Sequence, residues 1–437
     1  MVISSIQRAV QCLTLAVAFC AAPAFAQKIT VATDRPDGVY AVGSAVRWMV
    51  RTEGELTDVR YSVAPGQGVA TASGPLAGET VEYTFETPGT VLLKVTGRRA
   101  DGREVVGTGG AVAGVEKIGP SAPRPDDFDA FWAEKITELR AVPMDATLTP
   151  ADAGRQNVEY HTLTLGNIRG TLVRGQIARP TQGEKFPAVL QVQYAGIYPL
   201  QKSAVTDRAR DGWLALNISA HDLPIDQPEA FYKAQSAGPL KNYWAIGNDS
   251  RETSYYLRMY LSCVRAVDYL KSRPDWDGRT LVVYGGSQGG QQALVTAALA
   301  DGVTAAIANV PAGCDMLGPT AGRRGGWPQW YEWTKGINWN APADAAKVHE
   351  ASRYFDVVNF ASRVRCPALV GAGLVDDTCP VAGIIAAFNQ MPSEKKKLVL
   401  MPGAPHQNVN NTHAPFENRQ WRVWLPALLK GETPLLD

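Results

Sequence analysis

From Val158 onward, strand-length runs rich in apolar residues alternate with helical stretches, and this alternation constrains the fold more than any other feature of the chain. The runs are VEYHTLTL, RGTLVRGQIA, PAVLQVQY, WLALNISA, TLVVYG, TAAIANVP, PALVGAGL and KLVLM. Strands that are apolar all round must be covered on both faces, so the expected architecture is α/β, with helices packed on both sides of an eight-stranded, mostly parallel sheet. Ser254 to Leu270 is the clearest of the intervening helices. Its Tyr256, Tyr260, Cys263, Val267 and Leu270 step by four and three.

Upstream the pattern is different. Between Lys28 and about Val115 the segments KITVAT, AVRWMVRT, DVRYSVA, TVEYTFE and TVLLKVTGR alternate apolar with polar residues and are parted by Pro/Gly/Asp turns. Short strands so punctuated predict an immunoglobulin-like β-sandwich over residues 27–118, with Trp48 in its core. A proline-rich bridge, Gly119 to Pro125, leads to an amphipathic helix, DDFDAFWAEKITEL, that opens the α/β region 119–437. Residues 1–26 read as a signal peptide: Arg8 precedes the apolar stretch Ala9 to Ala22, and Ala24-Phe25-Ala26 offers a cleavage site. The stretch is too short to span a bilayer, and no later segment has the roughly 20 apolar residues a span needs. An exported, soluble protein, periplasmic or extracellular, is the expectation.

Of 43 basic residues only Arg8 lies in that leader, leaving 42 against 42 acidic ones. A formally neutral chain without a basic block gives no reason to expect nucleic acid or an acidic membrane as partner. Cys263, Cys314, Cys366 and Cys379 stand far apart in no CxxC pair, a spacing that neither requires a disulfide nor resembles a zinc site.

The chemistry is concentrated in YGGSQGGQQALV, Tyr284 to Val295, where four glycines crowd Ser287 between a strand and a helix. Gly285-Gly286-Ser287-Gln288-Gly289 fits G-x-S-x-G, in which small flanking residues let strand and helix close around a nucleophile on a strained turn. The plainer reading is a glycine-rich helix start with Ser287 as its cap. A serine nucleophile needs a base, itself oriented by an acid. The α/β-hydrolase arrangement, which the order of these segments resembles, implies an acid after the seventh of the eight runs and a histidine after the eighth. Leu374-Val375-Asp376-Asp377 and Pro402-Gly403-Ala404-Pro405-His406 stand there. Asp376 is assigned the catalytic role and Asp377 the capping of the following helix, while His406 is the base and His221, after WLALNISA, the competing histidine. His413 reads as lying well beyond the sheet. The backbone N–H groups of Gln288 and Ala195, in the Tyr194 to Ile197 loop, are the expected oxyanion donors.

The entry helix PRPDDFDAFW, the segments GGSQGG and GLVDDTCP, and the terminal His406 together resemble the acetyl xylan esterase and cephalosporin-C deacetylase family, carbohydrate esterase family seven. The resemblance covers roughly Pro123 to the C-terminus and implies a Ser-His-Asp esterase that deacetylates carbohydrate esters with no metal or other cofactor. The family's His-Gly-Tyr and Arg-Gly-Gln read Gln193-Tyr194-Ala195 and Ala220-His221-Asp222 here. Tyr194, Trp327 and Trp330 are candidate substrate contacts. Trp327, Trp330 and Trp333, with Tyr243 and Trp244, either wall a sugar site or cover the core beneath a long insertion. Two other readings stand beside the esterase: an exported serine peptidase or aminopeptidase on the same fold, and a glycan-binding protein without catalysis.

Overall fold

The computed structural model describes residues 27–333 and 344–436. The segment read as an export signal lies outside the described residues. Among those described, no helix is long and apolar enough to cross a membrane.

The N-terminal region is an immunoglobulin-like β-sandwich. One sheet joins Lys28–Thr33, Ala45–Glu53 and Thr80–Thr84; the other joins Val39–Tyr40, Thr57–Pro65, Ala72–Pro75, Gly89–Arg98 and Glu104–Ala113. In Ala45–Glu53 the side chains of Val46, Trp48 and Val50 are buried while Arg47, Met49 and Arg51 face outward, so a period of two seals one face against the opposing sheet. Trp48 is fully buried there. The last strand, EVVGTGGAVA, escapes a propensity reading because glycine is a poor strand former. Its glycines answer to close approach instead: a Cβ on Gly109 would lie 2.5 Å from Val31 Cγ1.

The C-terminal region has an α/β-hydrolase fold. Its sheet contains β1 (Thr147–Pro150), β2 (Val158–Gly166), β3 (Leu172–Pro180), β4 (Phe186–Val192), β5 (Leu214–Ile218), β6 (Trp276–Gly286), β7 (Ala305–Asn309), β8 (Ala368–Gly373) and β9 (Lys396–Met401). The spatial order is β9-β8-β7-β6-β4-β5-β3-β2-β1. From β9 to β5 neighbours run parallel, whereas β3, β2 and β1 add antiparallel strands beyond β5. Among the described residues the expected eight strands are therefore corrected to nine. β1 reads TLTP, exposed at every position and ending in proline, so it carries no apolar pattern and is fit only for an edge.

Alternation persists inside the buried strands and sorts their side chains into two cores. Leu281 and Val283 of β6 pack with the helices Tyr255–Ser272 and Gln288–Leu299, while Val282 and Tyr284 pack with Ser203–Arg210 and Leu425–Leu429 on the other face. The helix Tyr255–Ser272 starts where Ser254 Oγ accepts the N–H of Tyr256 at 3.4 Å and stops at Arg273, which precedes Pro274. Cys263, Cys314, Cys366 and Cys379 are free thiols.

Strand order reverses at β4, which pairs with β5 on one side and β6 on the other. The crevice outside the carboxyl ends of the strands is where such a sheet offers a binding site. The segments leaving β4, β6, β8 and β9 carry Ala195, Ser287, Asp376 and His406.

Candidate active site

Ser287 has φ 54° and ψ −124°, a backbone conformation that L-residues avoid. The turn holds because its neighbours are glycine. A Cβ on Gly285 would stand 2.5 Å from the carbonyl carbon of Gly289, and one on Gly289 would stand 2.5 Å from the carbonyl oxygen of Val192 in β4. The Ser287 N–H donates to the Asn309 carbonyl at 2.9 Å, tying the turn to the end of β7. Ser287 makes no side-chain cap to the helix it precedes, which removes the capping reading.

Its hydroxyl is directed at an imidazole instead. Ser287 Oγ lies 2.9 Å from His406 Nε2, and His406 Nδ1 lies 2.9 Å from Asp376 Oδ2. A carboxylate only accepts, so Nδ1 carries the proton and Nε2 is left to receive that of Ser287. The Asp376 side chain is fully enclosed, and its Oδ1 accepts the N–H groups of Thr378 at 2.9 Å and Cys379 at 2.8 Å. Asp376 thus turns its own loop and points at His406. Asp377 does not cap the following helix: Val381–Gln390 begins after Pro380 with no side-chain cap, and Asp377 is exposed. The Cys379 thiol lies within 4.8 Å of the Asp376 and His406 ligand atoms. Burial pushes its pKa well above the usual thiol value, so it packs as a neutral group.

The loop leaving β4 is braced from behind by His221. Its Nε2 faces the Gly196 carbonyl at 3.0 Å and its Nδ1 the Tyr255 hydroxyl at 2.7 Å. The carbonyl can only accept, which assigns the proton to Nε2 and leaves Nδ1 to accept from Tyr255, itself receiving a bond from Arg258 at 2.8 Å. Tyr243 links the same loop to the helix that follows Ser287, accepting the Gly196 N–H at 3.4 Å and donating to Gln288 Oε1. His221 is therefore a support for the loop rather than a rival base.

Burial lowers the His221 pKa from 6.5 to about 4. An imidazole kept neutral in the fold and free to protonate when unfolded contributes its stability in full above pH 6.5, and loses it as pH falls toward 4. The span corresponds to about 3 kcal/mol. Thermal melts of wild type and His221→Gln across that window should converge, the wild type falling more steeply on the acid side. Parallel curves would contradict this account.

A cleft of about 590 Å³ opens over the serine, lined by Tyr194, Ala195, Ser287, Trp327, His406 and Asn408 among others. The acetyl xylan esterase family model matches residues 114–425, which include every part of this hydrogen-bonded chain. The chain belongs to the acetyl xylan esterase family. It is 32% identical over 384 residues to the acetyl esterase Axe7A of Xylanibacter ruminicola, covering 85% of this chain and 83% of that protein. Among solved structures, the acetyl xylan esterase of Paenibacillus sp. R4 superposes with a TM-score of 0.60 at 22% identity, over 73% of this chain and 98% of that one. Acetyl xylan esterase 1 of Thermoanaerobacterium sp. JW/SL YS485 gives 0.58 at 19%, over 69% and 97%. These two share the fold. As a member of the family the protein is a carboxylic-ester hydrolase.

Within this acetyl xylan esterase family member the aromatic candidates separate. Trp330 is a correction: it is fully buried, donates Nε1–H to the Trp244 carbonyl at 3.0 Å, and packs on Tyr256 and Phe355, so no substrate reaches it. Tyr243 is likewise buried behind the loop. The Trp333 side chain lies outside the described residues. Trp327 and Tyr194 remain in the cleft. His413 has a place that sequence reasoning missed: it is buried beside the site, 3.0 Å from Asn309 Nδ2, with Nε2 donating to the Pro405 carbonyl at 2.9 Å, next to His406. No local pattern announces it, because its partners come from β7 and from the His406 loop itself.

Proposed function

We propose that the protein is an exported serine esterase that removes acetyl groups from carbohydrate esters, acetylated xylan and xylo-oligosaccharides among them. The single observation that carries this reading is the unbroken hydrogen-bond chain from Ser287 through His406 to Asp376 at the rim of the sheet. His406 takes the Ser287 proton as Oγ attacks the acetyl carbonyl, and Asp376 stabilises the imidazolium so formed. The backbone N–H groups of Ala195 and Gln288 receive the developing oxyanion. His406 then returns the proton to the departing sugar oxygen, leaving Ser287 acetylated. Water, deprotonated by the same imidazole, releases acetate and restores the serine.

Support for a sugar ester comes from the cleft walls and from the relatives, an acetyl esterase and acetyl xylan esterases. Tyr194 is 60% exposed at the mouth and stacks on Tyr198 with ring centroids 4.6 Å apart, a rigid apolar face of the kind on which pyranose rings settle. Trp327 lies in the same cleft. Trp327→Ala should raise KM for acetylated xylo-oligosaccharides several-fold and leave 4-nitrophenyl acetate hydrolysis nearly unchanged. Trp330→Ala should instead cost about 3–5 kcal/mol of stability, measured by denaturant unfolding.

Acetate release from acetylated xylan, mannan, pectin and simple sugar acetates tests the reading, with xylan esters expected to lead. Preferred turnover of an aminoacyl anilide would overturn it in favour of a peptidase. Export is tested by the first residue of the protein recovered outside the cytoplasm, expected to be Gln27.

A further inference from the structure

The N-terminal sandwich touches the loop that carries the acid. Its turn after Thr57–Pro65 is closed by Gln67 N–H on the Ala64 carbonyl at 3.2 Å and Gly68 N–H on the Pro65 carbonyl at 3.0 Å. Gln67 sits at φ 56° with only 7% of its surface exposed. Its Nε2 donates to the backbone carbonyl of Asp376 at 2.7 Å, across 309 positions of sequence. A second hold lies alongside: a Cβ on Gly110 would stand 2.1 Å from the Leu374 carbonyl oxygen, so the sandwich backbone lies directly against the chain entering the acid turn.

The Gln67 amide is not explained by stability. Its Oε1 is buried and has no hydrogen-bond partner among the described residues. A buried amide left half unpaired costs desolvation that its one bond scarcely offsets. What the bond does provide is placement. The Asp376 carboxylate is held by its own loop and by His406, while its backbone carbonyl is held from the sandwich.

We propose that Gln67 is a positioning residue for the catalytic acid, and that the β-sandwich is a structural part of the active site. The inference rests on the triad reading given under Proposed function. With the donor removed, the acid loop relaxes and the Asp376–His406 bond lengthens, which weakens both proton transfers while leaving the cleft intact.

The test is Gln67→Met in the full chain, which keeps nearly the same volume and removes the donor. Expected are a kcat about tenfold lower, less than the roughly 10²-fold that a 1 Å misplacement costs, and a KM for 4-nitrophenyl acetate within about twofold of wild type. The acid limb of kcat/KM should move to lower pH, because an imidazolium with a more distant carboxylate is less favoured. The far-downfield proton resonance of the His406 Nδ1–H should weaken. If Gln67→Met does not fold, Gln67→Asn, which keeps the amide but draws it back by one methylene, carries the same readouts. Wild-type kcat, acid limb and proton resonance in a folded variant would overturn the proposal, whatever its melting temperature. A wild-type protein with no esterase activity and no such resonance would instead defeat the triad reading itself.

Discussion

Ser287→Ala is expected to lower kcat for acetyl ester hydrolysis by roughly 10⁴- to 10⁶-fold, while substrate binding and the fold are kept. The Oγ is the only atom removed, and it lies 2.9 Å from His406 Nε2. Backbone bonds from Ser287 to Asn309, Gln291 and Ala312 are unaffected by the change, so the elbow should persist. What remains is catalysis by the oxyanion donors alone. Thermal melting should match the wild type, and hydrolysis near the wild-type rate would remove Ser287 from the mechanism.

Asp376→Asn is the second large effect, with kcat expected to fall about 10⁴-fold. The amide is nearly isosteric, and its oxygen can still accept the N–H groups of Thr378 and Cys379 that shape the loop. Its NH₂ then faces His406 Nδ1 and donates where the carboxylate accepted. The imidazole must move its proton to Nε2, where it meets the Ser287 hydroxyl as a donor and can no longer take its proton. Asp377→Asn, at an exposed position, serves as the control and should be close to neutral. The two kinetic outcomes reversed would exchange the assignments of the neighbouring aspartates.

The convergence of Ser287, His406 and Asp376 was legible in the chain because each follows an apolar strand whose end is easily found, and the order of the parallel strands then brings those ends to one edge. Gly285 carried the elbow geometry openly, since its crowding against Gly289 is steric and local, whereas Gly289 answers to the distant Val192 carbonyl of β4. Trp330 was not legible. A tryptophan three residues from Trp327 reads the same in either setting, and only the packing of Tyr256 and Phe355 against it decides that it is core. β1 was hidden because an exposed edge strand needs no apolar residue, and Glu104–Ala113 because its glycines serve backbone contacts with segments distant in sequence. Gln67 and His413 share that difficulty. Each bonds to a loop that the rest of the fold must first deliver.

The reading of the site as a serine esterase is tested most directly by intact-mass and peptide-mapping analysis after treatment with a fluorophosphonate. The account predicts a single adduct, located on Ser287, absent from Ser287→Ala and slowed in Asp376→Asn. No adduct on the active wild-type protein, or one carried by a different residue, would contradict it.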